Sequence, residues 1–309
     1  MKIALLGECM LELNGIALGA MQQSYGGDTF NTAVYLARCS DKTLDVCYAT
    51  ALGDDALSAA LLQHWKREGL QLDLVRTIAD KLPGLYQIAV DAQGERTFSF
   101  WRDQSAARAY FDTPITPLEA RASEWDAFYF SGISLAILPP AGRDRLFAFA
   151  QNLRQRGATV VFDNNFRAKL WSSIDDARAS FERAFAVANI ALITADDHQL
   201  LFGLQNLDAA VQAVQNLPIQ EVVIKRGAKP TLVRSGDQPW QSIAVQSVER
   251  VVDTTAAGDS FAAAYLSQRL KGQMPHVCAQ FGNQLAARVI QHRGAIIPMA
   301  AMADLCNTP

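Results

Sequence analysis

The sequence predicts a three-layer α/β fold in which helices cover both faces of a mostly parallel sheet. Three observations carry this prediction. Short apolar runs alternate with longer amphipathic stretches, half of the 309 residues are hydrophobic, and one region interrupts the alternation with a strand pair. Apolar strands separated by helices are typical of parallel sheets that are buried on both faces.

The regular elements follow one another without a repeat or a flexible linker, so residues 1–309 are predicted to form one domain. The predicted strands are Lys2–Leu6, Val46–Ala51, Ala127–Phe130, Thr159–Phe162, Ile190–Thr194 and Glu221–Lys225. The predicted helices are Thr29–Arg38, Ala56–Glu68, Pro140–Arg156, Ile174–Ala188 and Leu207–Asn216.

The interruption lies between Gly84 and Trp101, where two strand-like runs are joined at Asp91–Gly94. Gly94 suits a hairpin turn, and the intervening segment is too short for a helix. Residues 11–25 are expected to add strands beside it, so lid strands are predicted at about 11–25 and 84–102. Such a small sheet commonly covers a ligand site, although an edge hairpin without that role is the alternative.

Composition and charge exclude several classes of protein. The net charge is −3 with acids and bases mixed, and the absence of a basic run argues against nucleic-acid binding. The five cysteines are scattered without a C-x-x-C pair, which argues against a disulfide framework and a thiolate zinc site. With no long apolar run or leader-like segment, the sequence predicts a cytoplasmic protein without membrane or nucleic-acid partners.

A phosphate-binding device is indicated near the C-terminal end, since the sequence has no G-x-x-x-x-G-K-[ST] loop and no G-x-G-x-x-G after its first strand. Residues 253–261 read Asp-Thr-Thr-Ala-Ala-Gly-Asp-Ser-Phe and lead into a predicted helix through about Leu270. Unpaired amides of a helix's first turn attract anions, and Asp259 there could accept a proton from a hydroxyl. The alternative is a simple helix cap by Asp259 or Ser260.

A second polar segment, Tyr25-Gly-Gly-Asp-Thr-Phe-Asn31, opens the first predicted helix. Adjacent glycines let the backbone approach a polyhydroxy ligand closely, and Asp28 and Asn31 can hydrogen-bond its hydroxyls. An ordinary loop with a helix cap is the alternative. A third segment, Asp163-Asn-Asn-Phe-Arg167, closes a strand at the edge where open α/β sheets bind ligands.

These segments together resemble the signatures of the PfkB, or ribokinase-like, sugar kinases. Residues 253–259 match the pattern D-T-x-G-A-G-D except that Ala256 stands where many members have glycine, and residues 163–167 match D-x-N-x-R. The resemblance extends from Gly7 to Pro298. It implies a ribokinase-like fold with ATP as phosphoryl donor and Asp259 as catalytic base.

The resemblance also implies where the ligands bind. The residues implied for the acceptor are Gly26, Gly27, Asp28, Thr29, Asn31, Tyr86, Phe100, Trp101, Arg102, Arg167 and Asp259. The residues implied for the nucleotide are Asn165, Arg167, Lys225, Arg226, Gly227, Ala228, Ala256, Ala257 and Gly258, the last three through amides that also hold the charge of the transferring group. A helix over Phe281–Gly294 is expected to border the adenine.

The resemblance implies no direct protein ligand for a metal ion. Where many members have N-x-x-E near magnesium, this chain has Thr194-Ala195-Asp196-Asp197. Mg²⁺ is therefore expected to arrive with ATP, because it binds mainly through phosphates and waters.

The acceptor subtype depends on four further segments, 82–86, 95–98, 100–102 and 131–134, which are similar to those of 2-keto-3-deoxygluconate kinases of the same family. A sugar acid has a carboxylate, which an arginine fork binds well, and Arg102 and Arg167 are the candidates. Tyr86 could stack over the carbon chain. A solvated lid arginine is the alternative for Arg102.

We therefore expect phosphorylation of the C6 hydroxyl of the sugar acid, by a homo-oligomer that associates through its lid sheet. A fructokinase or other ketose kinase of this family is the nearest alternative. A catalytically silent sugar- or nucleotide-binding regulator, or an interaction module with an incidental fold match, are alternatives of other classes.

Overall fold

The computed structural model describes residues 1–16, 18–41, 43–90 and 96–306. The strands in this part of the chain are β1 Lys2–Leu6, β2 Met10–Gly15, β3 Met21–Gly26, β4 Asp45–Leu52, β5 Val75–Thr77, β6 Leu85–Val90, β7 Arg96–Trp101, β8 Ala127–Ser131, β9 Thr159–Asp163, β10 Ile190–Thr194, β11 Glu221–Arg226, β12 Lys229–Ser235 and β13 Gln241–Ile243.

The helices in the same residues are α1 Asp28–Cys39, α2 Ala56–Arg67, α3 Pro117–Ala120, α4 Gly132–Ile137, α5 Pro140–Gln155, α6 Ile174–Val187, α7 Ala195–Phe202, α8 Leu207–Gln215, α9 Ala257–Arg269, α10 Pro275–Val289 and α11 Ala303–Cys306. None of these helices within the described ranges is long and apolar enough to span a membrane.

The central sheet has the strand order β13-β12-β11-β10-β9-β8-β1-β4-β5. From β11 to β5 every neighbouring pair is parallel, and only β12 and β13 are antiparallel to their neighbours. The predicted mostly parallel sheet is therefore confirmed. Because parallel strands end together, the loops after β1, β9, β10 and β11 meet along one edge.

The two faces of this sheet carry separate apolar layers because successive strand residues point to opposite sides. On β1, Ile3 and Leu5 face the side covered by α1, α2, α9 and α10, whereas Ala4 and Leu6 face the side covered by α4 to α8. Both layers are fully buried, which explains why the strands read as continuous apolar runs.

The predicted elements agree with the structure to within one or two residues at most ends. The segment Phe281–Gly294 is the exception, since α10 begins earlier, at Pro275, and ends at Val289. Gly294 has a φ of +85°, which an α-helix does not allow, so the helix assigned to the end of this segment was wrong.

A second, small sheet has the order β3-β2-β6-β7 and stands at the same edge as the loops after β1 and β9. β6 and β7 pair antiparallel, with Tyr86 opposite Phe100, as the predicted hairpin requires. The turn predicted at Asp91–Gly94 lies outside the described residues. β2 pairs with β6 in parallel, so the sheet joins chain segments on either side of α1 and α2.

Candidate active site

The site begins at the first turn of α9. Ala256 precedes this helix in the left-handed conformation, with φ +60° and ψ +14°, and no side chain among the described residues caps the helix. The Ala257 amide donates to the Thr254 carbonyl at 3.2 Å, but within the described residues the amides of Gly258 and Asp259 have no backbone partner and are left for a ligand. The alternative of a cap by Asp259 or Ser260 is wrong: Asp259 lies inside the first turn, and Ser260 donates its hydroxyl hydrogen bond to the Ala257 carbonyl.

Asp259 faces the start of α1 across the cleft. The Asn31 amide nitrogen donates to Asp259 Oδ2 at 2.8 Å, and the backbone N–H of Gly27 meets Asn31 Oδ1 at 3.4 Å, which fixes the orientation of the amide. Burial raises the pKa of Asp259 to about 8, the Asp28 carboxylate adds to the rise, and the Asn31 hydrogen bond opposes it. In the free enzyme this carboxylate is therefore able to accept a proton once the pH approaches about 8.

Asp28 is the second carboxylate of the cleft. Asn165 donates its side-chain amide to Asp28 Oδ2 at 2.9 Å, from a backbone with a φ of +20° at the end of β9. Burial raises the pKa of Asp28, and the hydrogen bond from Ser131 opposes the shift. This contact joins the start of α1 to the D-x-N-x-R segment.

Lys225, at the end of β11, contributes a positive charge to the site. Its Nζ lies 2.7 Å from Asp163 Oδ2, and both side chains are almost fully buried. A Cβ added at Gly258 would lie 3.6 Å from the same Nζ. The ammonium group is thus beside the first turn of α9, where it can meet a phosphate.

Arg167 extends outward from the loop after β9. Its side chain is 52% exposed, and Nη1 lies 3.3 Å from Asp197 Oδ2. Asp197 also accepts the backbone N–H of Phe166, and burial raises its pKa while Arg167 lowers it. Asp197 thus holds the loop that presents Arg167.

The two glycines before α1 allow a close backbone approach. A Cβ at Gly27 would lie 2.0 Å from the Glu8 carbonyl oxygen, and one at Gly26 would lie 3.3 Å from Asn31 Oδ1 and 3.9 Å from the Tyr86 hydroxyl. Thr29 is completely buried and shares a hydrogen bond with the Tyr48 hydroxyl, so its side chain faces the core rather than a ligand. The acceptor contact predicted for Thr29 is therefore wrong for its side chain.

The small sheet presents aromatic side chains toward this cleft. Tyr86 donates its hydroxyl to Glu12 Oε2, and its ring centroid lies 5.8 Å from that of Phe100. Phe100 is 49% exposed and Trp101, on the opposite face of β7, is 59% exposed. Tyr86 and Phe100 are positioned to line a ligand, whereas Trp101 points away from them.

Arg102 is buried and forms an ion pair with Glu8, which follows β1. The solvated alternative for Arg102 is wrong, because only 6% of the residue is exposed. Glu8 Oε1 and Arg102 Nε are buried and have no hydrogen-bond partner in the described part of the chain. Sequence reasoning missed Glu8; the available signal was a carboxylate placed directly after an apolar strand.

The turn between β11 and β12 stands apart from these contacts. Arg226 donates to the Pro230 carbonyl at 2.7 Å, Gly227 has a φ of +59°, and both Gly227 and Ala228 are exposed. Within the described ranges these three residues have no hydrogen bond to the site's carboxylates. Their predicted nucleotide contacts stay predictions.

Comparison with known proteins agrees with this arrangement. The family model for pfkB family carbohydrate kinases matches residues 1–302. The chain is 44% identical over 306 residues to the 2-dehydro-3-deoxygluconokinase of Dickeya dadantii (strain 3937), a match that covers 97% of this chain and 98% of that protein. It is 41% identical to the enzyme of the same name from Haemophilus influenzae, over 98% of each chain.

Among solved structures, the fructokinase of Xylella fastidiosa with bound ATP superimposes with a TM-score of 0.82. It is 20% identical, and the match covers 98% of this chain and 97% of that one. The likeness shows that the two share a fold.

Proposed function

The chain belongs to the pfkB family of carbohydrate kinases, and from that membership we propose that it transfers the γ-phosphoryl group of ATP to the C6 hydroxyl of 2-dehydro-3-deoxygluconate, the sugar acid called 2-keto-3-deoxygluconate above. The observation that carries the chemistry is Asp259, which accepts a hydrogen bond from Asn31 and lies in the first turn of a helix that has no side-chain cap among the described residues. The identity of the acceptor rests on the relatives that share 41–44% of their residues with it.

Asp259 accepts the hydroxyl proton as the sugar oxygen bonds to the γ-phosphorus and the bond to the bridging oxygen breaks. ADP leaves with that oxygen, and the product is 2-dehydro-3-deoxy-6-phosphogluconate. Of the amides expected to hold the developing negative charge, that of Ala257 already donates to the Thr254 carbonyl, so those of Ala256 and Gly258 would supply the preorganised donors.

The nucleotide would lie along the ends of β9 to β11. Lys225 and Arg167 supply the positive charges and Asn165 a donor beside Asp28. Magnesium, held through phosphate oxygens and water with at most one or two carboxylates such as Asp197, would offset charge on the transferring group. ATP as donor fits the expected cytoplasmic location.

The sugar acid would lie between the small sheet and α1. Arg102 is placed at the base of this sheet, and Arg167 stands across the cleft as the second candidate partner for the carboxylate. Tyr86 and Phe100 offer apolar surface to the carbon chain. A neutral ketose is a second candidate acceptor, because Glu8 already neutralises the charge of Arg102.

We also propose that the small sheet joins subunits into a homo-oligomer. On the edge strand β7, Phe98 and Phe100 stack on one face with ring centroids 6.3 Å apart, and Trp101 on the other face is 59% exposed. Large apolar side chains left exposed on an edge strand commonly mark a protein interface.

The test is a coupled ADP-release assay with 2-dehydro-3-deoxygluconate, fructose and other sugars and sugar acids. We expect turnover with the sugar acid at a kcat/KM at least tenfold above that for any neutral sugar. Asp259→Asn is the inactive control, and Asp208→Asn, which changes an exposed carboxylate on α8, is its matched active control. A higher kcat/KM for fructose than for the sugar acid would contradict the proposed acceptor. If no ADP is released with any of these compounds, the alternative of a catalytically silent binding protein is supported.

A further inference from the structure

Two cysteines from distant parts of the chain meet at the end of α1 that is remote from the site. Cys39 is the last residue of α1 and Cys306 the last of α11, 267 positions later. Their sulfurs lie 2.6 Å apart, and the residues are 2% and 4% exposed. Since this separation is close to the S–S bond length of about 2.05 Å, joining the sulfurs requires little movement of either side chain.

The pair borders a groove large enough to hold a small oxidant. Both cysteines line a groove of about 330 Å³, together with Asp41, Gln268, Phe281 and Leu305. Water occupies about 30 Å³ per molecule, so hydrogen peroxide fits easily. The groove lies beyond the C-terminal end of α1, whereas Asn31 is eight residues earlier, roughly 12 Å along the helix axis.

The surroundings favour one sulfur as the attacking group. The hydrogen bond with the Cys39 thiol lowers the pKa of Cys306 below its ordinary value and outweighs burial and the Asp41 carboxylate, which both oppose the shift. The same hydrogen bond, followed by burial, raises the pKa of Cys39. We assign Cys306 as the attacking sulfur and Cys39 as the resolving thiol on this direction; the disulfide formed between the adjacent sulfurs is the same in either order.

We propose that Cys39 and Cys306 are a dithiol modification site at which a hydroperoxide forms a disulfide. The Cys306 thiolate attacks one oxygen of hydrogen peroxide, the O–O bond breaks, and Cys306 becomes a sulfenic acid while the released hydroxide takes up a proton to form water. The Cys39 sulfur then attacks the Cys306 sulfur, the S–O bond breaks, and a second water leaves with the Cys39 proton. Two thiols lose two electrons and one peroxide gains them.

The disulfide ties the C-terminal segment to the helix that carries Asn31. It closes a loop of more than 260 residues, and long loops give the largest loss of denatured-state entropy in the chain-entropy account. We expect a higher melting temperature and unchanged kinase activity, because the bond forms at the opposite end of α1 from the cleft.

The test treats reduced wild-type enzyme with hydrogen peroxide, then alkylates the denatured chain and maps its peptides by mass spectrometry. We expect a Cys39–Cys306 cross-link that dithiothreitol reverses, with Tm higher by roughly 5–10 °C. Cys306→Ser should lose both changes. Cys278→Ser, whose sulfur contacts the Gln273 carbonyl, is the matched control and should keep both.

Alkylation of Cys39 and Cys306 to the same extent as Cys47 and Cys278 after peroxide treatment would overturn the proposal. So would a Tm rise that survives in Cys306→Ser. Neither outcome bears on the proposed kinase reaction, which is tested separately by the ADP-release assay.

Discussion

At the scale of single residues, the position of Asp259 among other carboxylates determines the pH at which it can accept a proton. Its ordinary pKa of 3.8 rises to about 8, first through burial and then through Asp28. Below about pH 8 the free enzyme holds this group protonated, so kcat/KM for the sugar should rise about tenfold per pH unit up to that value and level off above it. A flat kcat/KM profile between about pH 6 and 9 would contradict the assignment.

Asp259→Asn tests the same carboxylate in activity and in stability. We expect kcat to fall by about 10²–10⁴ with little change in KM for ATP. The wild-type folded state binds a proton that the unfolded chain loses above pH 3.8, so its stability declines as the pH rises toward about 8. The Asp259→Asn variant has no such titration, so its Tm does not decline for this reason. The Tm of the variant minus the Tm of wild type should therefore increase between about pH 5 and 8. A constant difference would show that the pKa is not raised.

Arg102 is the residue that should distinguish a sugar acid from a neutral sugar. Charge-assisted hydrogen bonds contribute about 1.5–3 kcal/mol, so Arg102→Ala should lower kcat/KM for the sugar acid about 10–150-fold and much less for a ketose. The single variant leaves Glu8 buried and unpaired, so it is compared with Arg102→Ala combined with Glu8→Gln. Equal losses for both acceptors would show that Arg102 does not recognise the carboxylate.

At the scale of secondary-structure elements, the entry into α9 stores backbone strain at Ala256. A non-glycine residue at φ +60° costs about 1 kcal/mol, and glycine removes that cost. We expect Ala256→Gly to raise Tm by roughly 1–3 °C, as measured by calorimetry. Ala257→Gly, one position later inside the helix, is the matched control and should lower Tm. An Ala256→Gly variant less stable than wild type would show that its methyl packing outweighs the strain.

The β6–β7 hairpin should close over the acceptor. Tyr86 and Phe100 face the cleft from this hairpin, and binding removes open states. Saturating sugar acid with a non-hydrolysable ATP analogue should therefore slow backbone amide exchange at least several-fold in β6 and β7. Amide exchange in helix α5, which covers the central sheet away from the hairpin, should not change and serves as the internal reference. Equal exchange in the free and bound enzyme would exclude closure.

The elements were largely predictable because their signals are local. The strands of the central sheet are continuous apolar runs, and the hairpin before Arg102 follows from a strand pair without an intervening helix. The Glu8–Arg102 ion pair was not predictable, since it joins residues 94 positions apart only after β1 and the small sheet are both in place. The left-handed backbone at Ala256 was not predicted for another reason: alanine itself gives no signal for that conformation, and the only indication was the glycine that many family members have at this position.

At the scale of the whole molecule, the apolar side chains of the small sheet should decide the oligomeric state. Phe98→Glu places a charge among side chains that would pack against a second copy, and should convert the oligomer to monomers in light scattering. Leu200→Glu, on α7 where the leucine is 61% exposed against 47% for Phe98, is the matched control and should leave the mass unchanged. A wild-type mass equal to one chain would refute association through this sheet.

The contact between Asn31 and Asp259 has a consequence for the enzyme during its synthesis. The two residues are 228 positions apart, so the cleft cannot assemble until most of the chain has left the ribosome. A nascent chain that already contains the small sheet and the first strands has sugar-facing side chains but no base. Phosphoryl transfer therefore begins only when α9 docks beside α1, and a chain terminated before Asp259 would be inert rather than partly active.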